Sequence, residues 1–449
     1  MSENIRLLAL ESLLLIRKGG RKSNEITDAV LDKYANLSGS ERAFYLRLVR
    51  GTLENTIRSD MILDVYSGTP TAKMKPVIRE ILRMAVYQIE KMDSVPDRAA
   101  VDEAVRLAVK KGFGSLKGFV NGVLRSYLRE PERFREPGKE QPSAYLQARY
   151  SVPAFLADKW IGRYGLSDAE RICASFSDDR GITVRIRRDK EKTLASLKAA
   201  DITVEKAPYA PDAYRLYGAD ALQELEALRN GNLIVQDVSS QLAVYAAGIG
   251  KGMKILDMCA APGGKSILAA DLTGSTGSVT ACDISRDRLM RMEENIRRCG
   301  IFNIKTEVRD AADPGTDPEE KADVVLVDAP CSGYGVIGRK CDIIFSASAE
   351  KEESLVRLQR EILQNAARFV KKGGTLIFST CTVNETENEG NAAWFLEQFA
   401  EQGFAAESLN DYLPGELHCE STEQGQLQLL PGIHNCDGFF IARFVKKSF

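Results

Sequence analysis

From Lys254 onward, short apolar runs alternate with helical stretches. The runs cover residues 254–258, 278–283, 304–308, 322–328 and 375–379, while 266–272, 286–298 and 350–370 carry apolar residues at helical spacing. This alternation predicts a doubly wound parallel α/β sheet, because each crossover helix must cover one face of the sheet. Residues 404–409 and 438–444 supply strands to complete one edge. Ligands of such sheets bind in the crevice beyond the carboxyl ends of the strands. Two cysteines fall at such ends: Cys331 in Asp328-Ala-Pro-Cys-Ser-Gly333 and Cys381 in Ser379-Thr-Cys-Thr382. The chain order therefore proposes two thiols facing one pocket.

The first 130 residues read differently. Ile5, Leu8, Leu13 and Ile16 recur at helical spacing, as do the apolar residues of 78–89 and 97–108, and no strand-like alternation interrupts them. Turn signals at Gly19-Gly20, Ser67-Gly-Thr-Pro70 and Lys111-Gly-Phe-Gly114 punctuate the helices and predict an all-helical domain, 1–135. Its last helix, 117–129, mixes basic and apolar residues and offers a candidate RNA-facing edge. Pro131, Pro137 and Pro142 mark a linker, and a domain boundary is expected there. Residues 143–235 then mix a helix at 154–164, a strand at 182–186, a helix at 190–200, strands near Ile202 and Tyr214, a helix at 221–228 and a strand at 232–235. That order predicts a small α+β domain of the ferredoxin-like kind, also used by RNA-recognition domains, although no aromatic RNP-type strand motif is present. The parallel sheet would occupy 236–449.

The net charge of −2 hides an asymmetry: residues 1–150 hold 26 Lys/Arg against 19 Asp/Glu, and the remainder 35 against 44. A basic N-terminal part on an acidic protein points to a polyanion, since phosphate neutralisation supplies much of nucleic-acid affinity. Nine scattered cysteines do not form a secreted disulfide framework and fit a reducing cytoplasm. The opening Met1-Ser-Glu-Asn-Ile-Arg6 lacks a signal-peptide pattern, and no run approaches the roughly eighteen apolar residues that span a bilayer. A cytoplasmic monomer with no membrane and no obligate protein partner is expected.

Asp257-Met-Cys-Ala-Ala-Pro-Gly-Gly-Lys-Ser266 lies between the first strand of the sheet and its helix, where adjacent glycines allow close backbone approach. A P-loop needs Gly-x4-Gly-Lys-Ser/Thr, but Cys259 stands where the first glycine belongs. A dinucleotide fingerprint needs Gly-x-Gly-x-x-Gly, which the loop also lacks. The remaining cofactor is S-adenosylmethionine, which requires hydrogen-bonding groups but no pyrophosphate cradle. Asp283, nineteen positions after Gly264, can accept from both ribose hydroxyls, and Asp310 from the adenine amino group. His418-Cys419 and His434-x-Cys436 offer four zinc-ligand types, but the adjacent His-Cys pair departs from knuckle spacing, so no metal is expected.

The glycine loop, Asp328-Ala-Pro-Cys-Ser-Gly333 and Ser379-Thr-Cys-Thr382 together resemble the NOL1/NOP2/Sun family of RNA cytosine-5 methyltransferases. Gly114-Ser-Leu-Lys-Gly-Phe-Val-Asn-Gly-Val-Leu-Arg125, Leu429-Leu-Pro-Gly432 and Asp437-Gly-Phe-Phe-Ile-Ala-Arg443 narrow the resemblance to its bacterial RsmB branch, also called Sun or Fmu, over nearly the whole chain. The resemblance implies a NusB-like helical domain, a small middle domain and a Rossmann-like, S-adenosylmethionine-dependent domain that methylates a cytosine of small-subunit (16S) ribosomal RNA. It also implies cofactor contacts at Cys259, Ala260, Ala261, Pro262, Gly263, Gly264, Lys265, Asp283, Arg288, Asp310 and Asp328. One departure stands out. Where the family usually carries Arg-Arg-x-Pro-Asp, this chain has Gly338-Arg-Lys-Cys-Asp342, and a more mobile loop is expected.

Carbon 5 of cytosine is a poor nucleophile until something adds to carbon 6, and a thiolate suits that addition. With only His418 and His434 in the chain, a Cys-His dyad is not expected. Asp328 is the candidate partner of the base, able when protonated to donate to ring nitrogen 3. By resemblance, Cys381 is the nucleophile and Cys331 promotes product release. Local chemistry leaves that order open, because DNA cytosine-5 enzymes attack through a Pro-Cys thiol like Pro330-Cys331.

Overall fold

The computed structural model describes residues 4–19, 22–219, 222, 225–315 and 321–447. Contacts divide the chain into two compact units, one of Met1–Ala174 with Ile337–Ser346, the other of Ser175–Val336 with Ala347–Phe449. Among the described residues, no helix is long and apolar enough to cross a membrane.

The first unit is helical: α1 (Ile5–Lys18), α2 (Ser23–Lys33), α3 (Gly39–Glu54), α4 (Thr56–Tyr66), α5 (Pro76–Lys91), α6 (Asp97–Lys110), α7 (Lys117–Arg129), α8 (Pro142–Tyr150) and α9 (Ala154–Ala174). Local sequence sets several of the starts. Asn4 accepts from the Leu7 amide before α1, Ser38 and Glu41 cap α3 reciprocally, and Pro76 occupies the first turn of α5, where an amide hydrogen is not needed. The core gathers residues from α1 to α7, including Leu10, Leu13, Tyr45, Leu48, Leu82 and Leu124.

Across the Pro131–Pro142 linker, where a boundary is expected, contacts group α8 and α9 with this first unit. Arg58 of α4 donates to Glu90 and Glu136, each at 2.7 Å, and to the Ala148 carbonyl at 2.9 Å. The Ser151 hydroxyl accepts from the Ile57 amide at 2.9 Å. Prolines stop a helix but do not prevent the next one from docking on a buried guanidinium. The helix expected at 154–164 does stop there, because Gly165 leaves helical geometry with φ +76, and a second helical stretch follows it to Ala174. Breaking a largely buried ion pair from one side costs about 3 kcal/mol. Arg58→Ala should therefore lower the stability of this unit by about that amount and raise amide exchange across 131–150, as checked by urea unfolding and hydrogen-exchange mass spectrometry.

Within the segment 337–346, Cys341–Phe345 forms a 3-10 turn that contacts α3. Cys341 is buried in the helical core, Ser23 donates to Asp342 at 2.8 Å, Arg50 donates to the Gly338 carbonyl at 2.5 Å, and the Arg17 guanidinium lies 3.9 Å from the Phe345 ring centre. A small apolar thiol at position 341 serves as a core residue, a role that the loss of the family proline could not reveal.

The second unit begins with β1 (Ile182–Ile186), α10 (Lys190–Ala199), β2 (Thr203–Lys206), β3 (Ala213–Tyr217), α11 (Glu226–Arg229) and β4 (Leu233–Val235). The four strands pair antiparallel in the order β2-β3-β1-β4, the ferredoxin-like arrangement. The helix expected at 221–228 begins outside the described residues; its described part is α11. This small sheet does not stand apart from the α/β sheet. Arg185 and Arg187 reach Asp271 at 2.9 and 2.6 Å, and Arg180 donates to the Cys436 carbonyl at 2.7 Å.

The α/β part comprises α12 (Val238–Tyr245), β5 (Lys254–Asp257), α13 (Gly264–Thr273), β6 (Ser278–Asp283), α14 (Arg286–Arg298), β7 (Ile304–Val308), β8 (Ala322–Asp328), α15 (Ala349–Phe369), β9 (Val370–Thr380), α16 (Glu389–Phe399), β10 (Phe404–Ala406), α17 (Glu420–Glu423), β11 (Gln426–Leu429) and β12 (Phe439–Lys446). The strand order is β10-β12-β9-β8-β5-β6-β7, with β11 also on β12. The five strands from β9 to β7 are parallel, and the C-terminal strands close one edge antiparallel. Successive residues along a strand feed opposite cores. Ile255, Val324, Leu326 and Ile377 pack with α12–α14, whereas Leu256, Val325, Val327 and Phe378 pack with α15 and α16. Burial on both faces is what makes these strands read as continuous apolar runs.

Candidate active site

Parallel register carries the two cysteine motifs to the same edge of the crevice. Asp328, the last residue of β8, lies opposite Ser379 of β9, and the Ala329 amide donates to the Ser379 carbonyl at 2.9 Å. The chain then turns through Pro330 to Cys331, while β9 ends at Thr380 and delivers Cys381. The two Sγ atoms lie 3.4 Å apart, and both residues are half-buried. The contact with Cys381, burial, and the charges of Glu387 and Asp328 hold the Cys331 thiol well above its ordinary range.

Asp328 is held from two sides. Lys265 Nζ donates to Oδ2 at 2.7 Å and the Ser379 hydroxyl to Oδ1 at 3.0 Å. Lys265 lies in the first turn of α13, 5.1 Å from the Phe439 ring centre. The lysine that would cradle phosphates in a P-loop here meets the acid of the cysteine motif.

The glycine loop runs from β5 to α13, and its Gly263 has φ +105 with Met292 against it; a Cβ would lie 2.7 Å from Met292 Cγ. Ala260 and Ala261 are buried, Cys259 and Lys265 are half-buried, and Pro262 is exposed. Asp283 is buried at the end of β6, where it accepts from the Ala261 amide at 3.2 Å and pairs with Arg288 at 3.0 Å. Arg288 donates in turn to the Ala261 carbonyl. Asp310 follows β7, the neighbour of β6; it is exposed and accepts from the Ala312 amide at 2.9 Å. The structure thus joins the loop, Asp283 and Arg288 in one hydrogen-bonded group, pairs Lys265 with Asp328 in another, and sets the two thiols in contact with each other. Asp310 shares no direct bond with either group.

These residues fit S-adenosylmethionine. Asp257, ahead of the loop, is fully buried; Ser266 donates to its Oδ2 at 2.6 Å while Oδ1 has no hydrogen-bond partner in the protein. Burial raises its carboxyl to about 6. A buried acceptor with spare capacity, beside a loop without side-chain bulk, suits a cationic, amine-bearing ligand better than a polyphosphate. The zinc ligand types are otherwise engaged: His418 Nε2 lies 2.9 Å from the Leu413 carbonyl, and His434 Nδ1 accepts from the Leu430 amide at 2.9 Å. Among the described residues, no group of three or more His, Cys, Asp and Glu side chains could hold a metal ion.

Sequence reasoning passed over a buried polar cluster behind the thiols. Glu387 accepts from the Ser332 amide at 2.9 Å, the Ser332 hydroxyl at 2.5 Å, Asn384 at 2.8 Å and Gln359 at 2.9 Å. Its signal was available in Asn384-Glu-Thr-Glu-Asn388, a polar run after a core strand, where a solvated turn is the ordinary reading.

A Rossmann-like sheet with a glycine loop after β5 and a buried acid at the end of β6 defines the class as an S-adenosylmethionine-dependent methyltransferase. Residues 249–445 match the family described as 16S rRNA methyltransferase RsmB/F, and residues 3–129 match the NusB family. The chain is 36% identical over 450 residues to the Bacillus subtilis protein named probable ribosomal RNA small subunit methyltransferase B, covering 99% of each. It belongs to the RsmB/F family of 16S rRNA methyltransferases. A Synechocystis protein of the same name is 31% identical, with 98% of this chain and 99% of that one covered. Among solved structures, PH0851 shares the fold with a TM-score of 0.80 at 24% identity, covering 99% of this chain and 100% of that one. NSun6 from Pyrococcus horikoshii, determined with SFG, has a TM-score of 0.59 at 22% identity, covering 67% of this chain and 100% of that one.

Proposed function

We propose that this enzyme methylates carbon 5 of a cytosine in small-subunit ribosomal RNA through a covalent bond between Cys381 and carbon 6 of the base, acting as a cytoplasmic monomer. The observation that carries the proposal is the 3.4 Å contact between Cys331 and Cys381 beside Asp328. Bound S-adenosylmethionine supplies an electrophilic methyl group. Asp257, the loop from Cys259 to Lys265, Asp283, Arg288 and Asp310 would hold it.

The remaining steps belong to the protein. The Cys381 sulfur adds to carbon 6, and its proton passes by way of the Asp328 carboxyl to ring nitrogen 3, so that no net charge builds on the ring. Lys265 and Ser379 keep Asp328 oriented for that exchange. Once carbon 5 is methylated, its proton passes to water, the carbon–sulfur bond to Cys381 breaks, and the nitrogen 3 proton returns by way of the Asp328 carboxyl to replace the one that Cys331 gives up. Cys331, whose thiol stays protonated, donates to the departing Cys381 sulfur. The base must leave its stack to enter the crevice, which is least costly in loop RNA, and the basic helical unit would hold neighbouring phosphates.

Incubation with methyl-labelled S-adenosylmethionine and undermethylated 16S RNA, followed by nucleoside mapping, should place all label on 5-methylcytosine. Label on a ring nitrogen or a ribose would reject the mechanism.

A further inference from the structure

Glu387 is fully buried, and its four hydrogen-bond donors are all neutral. A buried carboxylate without a cation is costly to desolvate and is retained only where its acceptors are used. Here two of its bonds grip one residue, Ser332, directly after Cys331. The Ser332 hydroxyl also lies 2.6 Å from the hydroxyl of Thr382, directly after Cys381. Gln359, which donates to Glu387, donates as well to the Pro330 carbonyl at 2.8 Å, directly before Cys331. The residues flanking the first thiol and the residue after the second therefore converge on one side chain.

The far side of the turn is closed by backbone. The Gly335 amide donates to the Cys381 carbonyl at 3.1 Å and the Gly438 amide to the Gly335 carbonyl at 2.9 Å. This approach is so close that a Cβ on Gly335 would lie 2.1 Å from the Gly438 carbonyl oxygen. Backbone thus fixes where the turn runs, and Glu387 fixes which way its cysteine faces.

We infer that Glu387 is the positioning residue of the reaction: it clamps the Pro330–Ser332 turn to Thr382 and thereby holds the two thiols in contact. The inference rests on the thiol roles proposed above. A second consequence follows from its charge. The carboxylate helps to keep Cys331 protonated, so removing the charge should let that thiol ionise at lower pH. A thiol that must donate a proton loses its function as pH rises through its own ionisation, and the alkaline limb of the turnover profile should move down with it.

The test uses the full-length enzyme with undermethylated 16S RNA, counting total methyl transfer per bound cofactor by filter assay and calorimetry. Glu387→Gln should bind S-adenosylmethionine at full stoichiometry and keep its KM for RNA within about twofold, while kcat falls at least about tenfold. Its alkaline pH limb should shift to lower pH. Unchanged kcat per bound cofactor, or an unmoved alkaline limb, overturns the inference. If Glu387→Gln does not fold, Ser332→Ala decides. It removes only the hydroxyl bridge and should lower kcat at full cofactor stoichiometry with the pH limb in place; an unaltered kcat rejects the clamp. Because total transfer is counted, a label mapped away from carbon 5 would reject the proposed chemistry while leaving the Glu387 result readable.

Discussion

Cys381→Ala should abolish methylation and, with it, any covalent complex with RNA. In the proposed reaction nothing else can add to carbon 6, and without that addition carbon 5 has no electron pair to offer. Removing a covalent nucleophile from an otherwise intact site costs on the order of 10⁶-fold in the best-studied hydrolase, and a loss of at least about 10⁴-fold is expected here. The fold should hardly notice, because Cys381 is only half-buried and its backbone carbonyl keeps its bond from Gly335. The measurement is label incorporation together with denaturing gel electrophoresis of enzyme mixed with RNA, with cofactor binding as the control for folding. A slowly migrating protein–RNA band in Cys381→Ala would reassign the nucleophile.

Cys331→Ala should show the opposite behaviour on the same gel. Addition and methylation proceed, but the Cys381 sulfur departs without a proton donor, and the covalent complex accumulates. General-acid assistance is worth about 10²–10⁴-fold, so turnover should fall by that amount while the first methylation per enzyme is retained. The 3.4 Å separation suits this division of labour, because a thiol at that distance can donate to its neighbour's sulfur. Accumulation in Cys381→Ala and not in Cys331→Ala would put attack on the Pro-Cys thiol, the alternative that local chemistry leaves open.

The parallel sheet was legible because its strands are buried on both faces and its motifs sit where strands end. Residues 278–283, 286–298, 304–308 and 322–328 form the elements expected of them, to the residue. Domain limits were less legible. Pro131, Pro137 and Pro142 announce a break in helix, but whether α8 docks backward or forward depends on Arg58, distant in sequence and indistinguishable there from any surface arginine. Cys341 behaves likewise: its neighbours read as a loop, and only its contacts place it in a helical core.

Local order along the chain was enough to specify a glycine loop, its acids and two cysteines at strand ends, since each depends on residues close in sequence. It could not supply the distance between Cys331 and Cys381, which are 50 positions apart and meet only because β8 and β9 pair in register. Nor could it expose Glu387, whose significance lies in four donors drawn from three separate segments. A carboxylate in a polar run reads as solvated until folding removes its water, and from then on its partners must come from the protein.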